Sequence, residues 1–316
     1  CDWQHLNQDA QIDAKLSIVA QSLERLGSIS PPDIGYVSGP EEKNYRTTMR
    51  VGVVDGHAAL RKARSNELIQ LEECVVAHPM IEDILANGFF HTASDVTIRV
   101  GSRTGDRLVM GEPVADGFSV PDDVRVVGRN EARKGAEVFV FEEAAGIEWR
   151  ISAQSFFQSS PEGAESLIGL TAEWLSVQDV GEQVMVDLYA GVGLFSGTVG
   201  DWFEKVTAVE SSKSATRDAQ HNLGSHVSIH QLEVEKWTPE LADVVIADPP
   251  RSGLRASGVE VIRLTEAPRV VLISCDAGAL GRDARLLTAA GYELDQIDVL
   301  DMFPQTSHVE VVSGWI

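Results

Sequence analysis

The chain has 316 residues, room for two domains of ~150 residues each. Its 43% hydrophobic and 23% charged residues are those of an ordinary globular protein, which excludes disorder along the whole length. Apolar runs such as Val270–Ile273 are strand-length, far short of the roughly 20 residues of a membrane span. The net charge of −22 argues, taken alone, against a nucleic-acid partner.

The acidity is uneven, since residues 1–75 hold 8 basic against 11 acidic groups. Arg46, Arg50, Arg61, Lys62 and Arg64 lie close together there, as a solvated face or a basic patch. Three cysteines cannot form a disulfide framework, so a reducing, cytoplasmic compartment is expected. No secretory signal is visible. The opening on Cys1 rather than Met points to a piece of a longer protein.

Residues 11–27 carry a helical pattern through Ile12, Leu16, Ile18, Val19, Leu23 and Leu26. The Pro/Gly-rich stretch Ser28–Pro40 reads as a loop, and residues 45–73 as strands. Val96–Val100 and Leu108–Gly111 flank Arg103–Asp106 as a hairpin; Val138–Phe141 and Ile147–Ile151 flank a turn with Gly146. The first half, 1–150, is thus expected to be a smaller α/β domain containing an antiparallel sheet.

The rhythm then changes. A helix is expected from Pro161 to about Leu175. Strands Val184–Leu188, Val206–Val209, Val227–His230, Val244–Ala247 and Val270–Ser274 follow, alternating with helical stretches. Two more lie near Tyr292–Leu300 and His308–Val312. Such alternation predicts an open, mainly parallel, Rossmann-like α/β sheet over 151–316.

Asp187–Ser196 follows the first of these strands and is expected to open a helix. Gly191 and Gly193 allow a tight turn and close backbone approach to a ligand. Glu210 ends the next strand, where a carboxylate accepts from both ribose hydroxyls. A pyrophosphate site usually has a third glycine where Ser196 stands, and Asp187 places negative charge beside the ligand. The loop therefore favours S-adenosylmethionine, a sulfonium cation, over NAD. Glu233 and Glu235 either meet the adenine amine or are simple helix-start acids.

Asp248–Leu254 ends the fourth strand and Ser274-Cys275-Asp276 the fifth, so both face the crevice beyond the strand ends. Cys275 precedes a helix from about Gly278 to Ala289, which would favour its thiolate; the alternative is an inert buried cysteine. A short turn before the last strand implies antiparallel pairing. Glu310 then reaches the same crevice as Cys275, or is a solvent-facing strand residue. His308 is ambiguous between a structural role and a part in the crevice, the structural role being the first reading.

Four segments together resemble the S-adenosylmethionine-dependent RNA uracil-5-methyltransferases: Ser155-Phe156-Phe157-Gln158, Asp187–Ser196, Asp248–Leu254, and Ser274-Cys275 with Phe303–Glu310. The resemblance implies a class I methyltransferase domain, with Gln158, Tyr189, Leu194, Glu210 and Asp248 lining the cofactor site. Leu194 stands where some members carry Asn, so a contact there would be through its backbone. Ala277 and Ala279 replace a Pro and a Thr usual after the cysteine.

The chemistry it implies is methylation of uridine to 5-methyluridine in ribosomal or transfer RNA. Cys275 adds to carbon 6, the resulting enolate attacks the sulfonium methyl, and Glu310 removes the carbon-5 proton so that Cys275 leaves. Cys1 and Cys74 resemble the last two ligands of the family's iron–sulfur motif, whose earlier cysteines would lie upstream. Two cysteines cannot hold a four-cysteine cluster, so [4Fe-4S] is expected only in a longer protein. The N-terminal RNA-binding barrel of many members has no counterpart in this stretch. RNA is thus the expected partner, with no DNA or membrane and a monomeric chain.

The rivals are a relative acting on another base or atom, a fragment inactive by itself, or a cytosine-5 enzyme. The last needs a cysteine after the proline where Arg251 follows Pro250. A non-catalytic relative would lack Cys275 or Glu310, and the glycine spacing disfavours a nicotinamide dehydrogenase.

Overall fold

The computed structural model describes residues 2–62, 65–176 and 183–316. The chain divides into two compact units: residues 1–40 with 162–316, and residues 41–161. Arg64, one of the clustered basic residues, lies outside the described residues.

The chain begins in the first unit with α1 (Gln8–Ser22), started by Asn7, whose side chain accepts from the Ala10 N–H. A wider helical turn carries it to Gly27. The expected 28–40 loop contains a short strand, β1 (Gly35–Val37). The buried face of α1 is Gln11, Lys15 and Val19, not the Ile12–Leu16–Ile18 stripe, which is only half-buried. Polar side chains occupy that i, i+4 row because buried partners await them, as shown below.

The second unit comprises β2 (Thr48–Val54), β3 (His57–Arg61), β4 (Leu68–Gln70), α2 (Pro79–Asn87), β5 (Asp95–Val100), β6 (Arg107–Glu112), β7 (Arg125–Gly128), α3 (Arg129–Arg133), β8 (Phe139–Ala144) and β9 (Ile147–Ser152). Six strands form a sheet in the order β4-β3-β2-β5-β6-β7, with β8 and β9 as a separate hairpin. Only the β6–β7 pair is parallel. Met49, Val51, Val96, Ile98 and Val109 bury one sheet face with Ile81, Ile84 and Leu85 of α2. Both expected hairpins are present.

The chain returns to the first unit with α4 (Pro161–Ser176), β10 (Val184–Leu188), β11 (Lys205–Glu210), α5 (Lys213–Asn222), β12 (Val227–Gln231), β13 (Val244–Ala247), α6 (Arg255–Leu264), β14 (Arg269–Ser274), α7 (Ala277–Ala289), β15 (Leu294–Leu300) and β16 (Glu310–Trp315). The sheet order is β1-β15-β16-β14-β13-β10-β11-β12. β16 runs antiparallel to both neighbours and the other pairs are parallel. Central strands such as β13 and β14 are buried throughout, as a parallel sheet covered by helices requires.

Two expectations change. The division falls at 40 and 161 rather than at 150, because β1 pairs with β15 and α1 packs on α7. The loop after β10 opens no α-helix: it runs through turns into a 3₁₀ turn at Val199–Trp202. Gly197 and Gly200 weaken any helix there, and Thr198 leaves helical geometry at φ −124°, ψ −88°. The strand order reverses at β10, between β11 and β13, so the ligand crevice lies beyond the carboxyl ends of β10 and β13.

Candidate active site

The loop after β10 is built around positive φ. Tyr189 (63°), Gly191 (58°) and Gly193 (95°) all take left-handed backbone. A Cβ on Gly193 would stand 2.7 Å from Leu223, so only glycine fits. A Cβ on Gly191 would meet nothing within 4 Å, so the backbone there is open to a ligand. Glu210 ties this loop to the end of β11: its carboxylate accepts from the Gly191 N–H at 3.0 Å and the Ser212 N–H at 2.5 Å. It therefore shapes the loop as well as standing where a ribose would bind.

Asp187 is fully buried. Its Oδ2 accepts from the Ser196 N–H at 3.0 Å and Oγ–H at 2.6 Å, while Oδ1 is buried without a partner. Burial first, and nearby Glu210 last, push its carboxyl up to about 7 against the pull of the Ser196 bonds. The fixed negative charge expected at this position is thus only partial near neutral pH. Ser196 replaces the third glycine of a dinucleotide loop because it supplies the donors for Asp187.

Tyr189 is half-buried, and its phenol is raised by burial and by the carboxylates of Glu235 and Asp283. Glu235 therefore stands near the loop, whereas Glu233 pairs with Lys236 at 2.9 Å. Leu194 is buried, and its carbonyl accepts from Thr198 Oγ–H at 2.7 Å. These features fit S-adenosylmethionine: an open cradle at Gly191, an orphaned buried oxygen on Asp187 for a cation, and an acid at the β11 end.

The second cluster gathers at the ends of β13, β14 and the start of β16. Asp248 follows β13, Cys275 follows β14, and Glu310 opens β16. The Cys275 thiol is pushed up to about 11, first by burial, then by Glu310 and Asp248, with Arg251 opposing. This overturns the expected helix-favoured thiolate, because α7 begins at Ala277 and Asp276 caps it by accepting from the Ala279 N–H at 2.8 Å. The helix end is already served by a carboxylate. Glu310 is buried rather than solvent-facing, and its carboxyl is raised well above the usual range by burial and by Asp248, again with Arg251 opposing. One electrostatic neighbourhood thus holds the thiol, two carboxyls and one guanidinium.

Two supports were not legible from the motifs. Arg251 donates to His308 Nδ1 at 2.9 Å, which leaves the neutral ring's proton on Nε2. Asp283 of α7 accepts from the Leu254 and Arg255 N–H groups at 2.7 and 3.0 Å, bracing the end of the Asp248–Leu254 segment. Gly253 is required there: its φ is +76°, and a Cβ would lie 2.1 Å from Asp283.

Gln158 is buried within the second unit, residues 41–161. Cys74 belongs to that unit too, packed against its apolar core, with its N–H donating to Glu82 at 2.9 Å. Cys1 lies outside the described residues. Among the described residues no group of three His, Cys, Asp or Glu could hold a metal.

Residues 236–314 match a family model described as tRNA (Uracil-5-)-methyltransferase. The chain is 31% identical over 345 residues to an uncharacterized RNA methyltransferase of Streptomyces avermitilis, covering 99% of this chain and 79% of that one. It is 27% identical over 368 residues to another from Thermosynechococcus vestitus, covering 99% and 81%. It superposes with TM-score 0.75, at 22% identity, on the Pyrococcus abyssi tRNA (uracil-54, C5)-methyltransferase in complex with S-adenosyl-L-homocysteine, covering 99% of this chain and 85% of that one. The fold is that of a Rossmann-like, S-adenosylmethionine-dependent methyltransferase. Within that class, the chain belongs to the RNA uracil-5-methyltransferase family.

Proposed function

We propose that the protein methylates carbon 5 of a uridine in ribosomal or transfer RNA through a covalent adduct with Cys275. The observation that carries this reading is the clustering of Cys275, Glu310, Asp248 and Arg251 at the ends of β13, β14 and β16, beginning on the strand next to the one that carries the Gly191 loop. S-adenosylmethionine supplies the methyl group, and Tyr189, Gly191, Glu210 and Asp248 are the residues that would hold it.

Carbon 5 of uracil is a weak nucleophile. Cys275, as thiolate, adds to carbon 6 and makes carbon 5 an enolate carbon that can accept a methyl group. The carbon-5 hydrogen must then leave as a proton. Glu310 is suited to take it, because burial makes its carboxylate a stronger base than a solvated one. Loss of that proton restores the 5,6 double bond and expels the Cys275 thiolate. The base must leave its stack to reach a crevice of this kind.

The test is transfer of labelled methyl to RNA lacking 5-methyluridine, followed by nucleoside digestion. Label is expected in 5-methyluridine, and Cys275→Ala should give none. Glu310→Gln should still methylate once, leaving a labelled protein–RNA band on a denaturing gel. Near-normal turnover by Cys275→Ala, or label on another atom, would overturn the reading.

A further inference from the structure

Between β15 and β16 lies the segment Asp301–Val309, which ends immediately before Glu310 and carries His308, the partner of Arg251. It is held from the opposite end of the sequence. Lys15 of α1 is fully buried and donates to Asp301 Oδ1 and to the Phe303 carbonyl, the latter at 3.0 Å. Tyr36 of β1 donates to the other oxygen of Asp301 at 3.1 Å. One turn earlier on α1, Gln11 accepts from the Gln305 N–H at 2.9 Å and donates to Gln305 Oε1 at 3.2 Å. The Trp3 N–H donates to the Gln305 carbonyl at 3.0 Å.

The segment relays this anchoring inward. The Phe303 carbonyl also accepts from Thr306 Oγ–H at 2.8 Å, Thr306 Oγ accepts from the His308 N–H at 3.3 Å, and the Phe303 and His308 rings meet edge-to-face at 6.0 Å. A buried ammonium is costly unless it is paired and fully hydrogen-bonded. Its own desolvation lowers the Lys15 pKa, with Asp301 opposing. An apolar side chain would close the same helix face without that cost. What Lys15 adds is direction: two acceptors on one segment, in one geometry.

We propose that Lys15 is a positioning residue for the methyl-transfer reaction, fixing the Asp301–Val309 segment and through it the placement of His308 and Glu310 beside Cys275. The proposal rests on the reading of Cys275 and Glu310 given above. A displacement of about 1 Å of a reacting group is enough to slow such a reaction strongly.

The test uses Lys15→Met, which keeps the apolar stem, and the double variant Lys15→Met/Asp301→Asn, which removes both charges so that none is left buried alone. Three readings are taken on each: backbone amide exchange, S-adenosylmethionine affinity by calorimetry, and kcat for methyl transfer. In both variants, exchange over residues 303–309 should rise by about tenfold while that over 189–197 is unchanged. Affinity and KM for S-adenosylmethionine should stay within about twofold, and kcat should fall by roughly tenfold or more. Recovery of both kcat and slow exchange in the double variant would overturn the proposal, since the pair would then matter to stability alone. So would unchanged exchange over 303–309 in Lys15→Met. If the wild-type protein methylates no uridine, the functional reading falls instead, and the exchange data still decide whether Lys15 holds the segment.

Discussion

Asp187 offers a sharp test, because its surroundings place a number on a buried charge. A carboxyl raised from 3.8 to about 7 disfavours the ionised folded state by about 4 kcal/mol. The sign follows from proton binding. Between those two pH values the folded state holds more protons than the unfolded one, so stability is greatest in acid. It is lost as pH rises toward 7 and is flat above it. Asp187→Asn abolishes this slope. Its amide oxygen can still accept from Ser196, while its NH₂ takes the unpartnered place of Oδ1 at a constant cost of about 1–3 kcal/mol.

Urea unfolding of both proteins from pH 5 to pH 8, followed by circular dichroism, isolates the effect. The stability of the variant relative to the wild type should climb by about 3 kcal/mol over that range, most of it before pH 7. A difference that does not change with pH would refute the reasoning, whatever its absolute size. The same reasoning extends to the ligand. A cation bound near the orphaned oxygen favours ionised Asp187, so S-adenosylmethionine binding at pH 6 should release protons, measurable by calorimetry in buffers of different ionisation enthalpy. Asp187→Asn should release none.

Glu210→Ala should weaken S-adenosylmethionine binding by about 1–3 kcal/mol in calorimetry, since it removes a charged acceptor and frees the Gly191 and Ser212 N–H groups; unchanged affinity would remove Glu210 from the site. Alkylation of Cys275, mapped by mass spectrometry to separate it from Cys74, should accelerate up to a pH of about 11. Glu310→Gln should shift that profile to lower pH by removing a negative neighbour, and Arg251→Ala should shift it higher. A profile centred on the ordinary thiol value in all three proteins would contradict the electrostatic account.

The sheet was legible because most of its strands are short apolar runs, and each strand expected in the second half overlaps an observed one, although the last is Glu310–Trp315 rather than His308–Val312. The site motifs were legible for a related reason: Asp187, Glu210, Asp248 and Cys275 all fall at carboxyl ends of strands, where an open α/β sheet gathers its ligands. The division of the chain was not. β1 is three residues long, and its partner β15 lies more than two hundred residues away in sequence, so no local pattern betrays the pairing. The face of α1 was misread for a different reason. Gln11 and Lys15 are buried by specific acceptors on a distant segment, and hydropathy counts them as solvent-facing. The row Gln11, Lys15, Val19, Leu23 has helical spacing, and that spacing was the available signal.

Sequence position alone put the Cys275 thiol near a helix N-terminus and so favoured a thiolate. The folded site spends that helix end on Asp276 and surrounds the thiol with Glu310 and Asp248. With a pKa of about 11, only about one molecule in a thousand carries the thiolate at pH 8. In the proposed mechanism so scarce a thiolate would be activated as the substrate enters, which can displace water and bring carbon 6 into contact. Arg251 opposes both carboxyls from an exposed position, and His308 holds it there. The groups around Cys275 therefore lie on, or next to, the two segments braced by Asp283 and Lys15. Asp283 also acts on Tyr189, so of the two braces it is Lys15 whose loss should slow the proposed methyl transfer and leave cofactor binding alone.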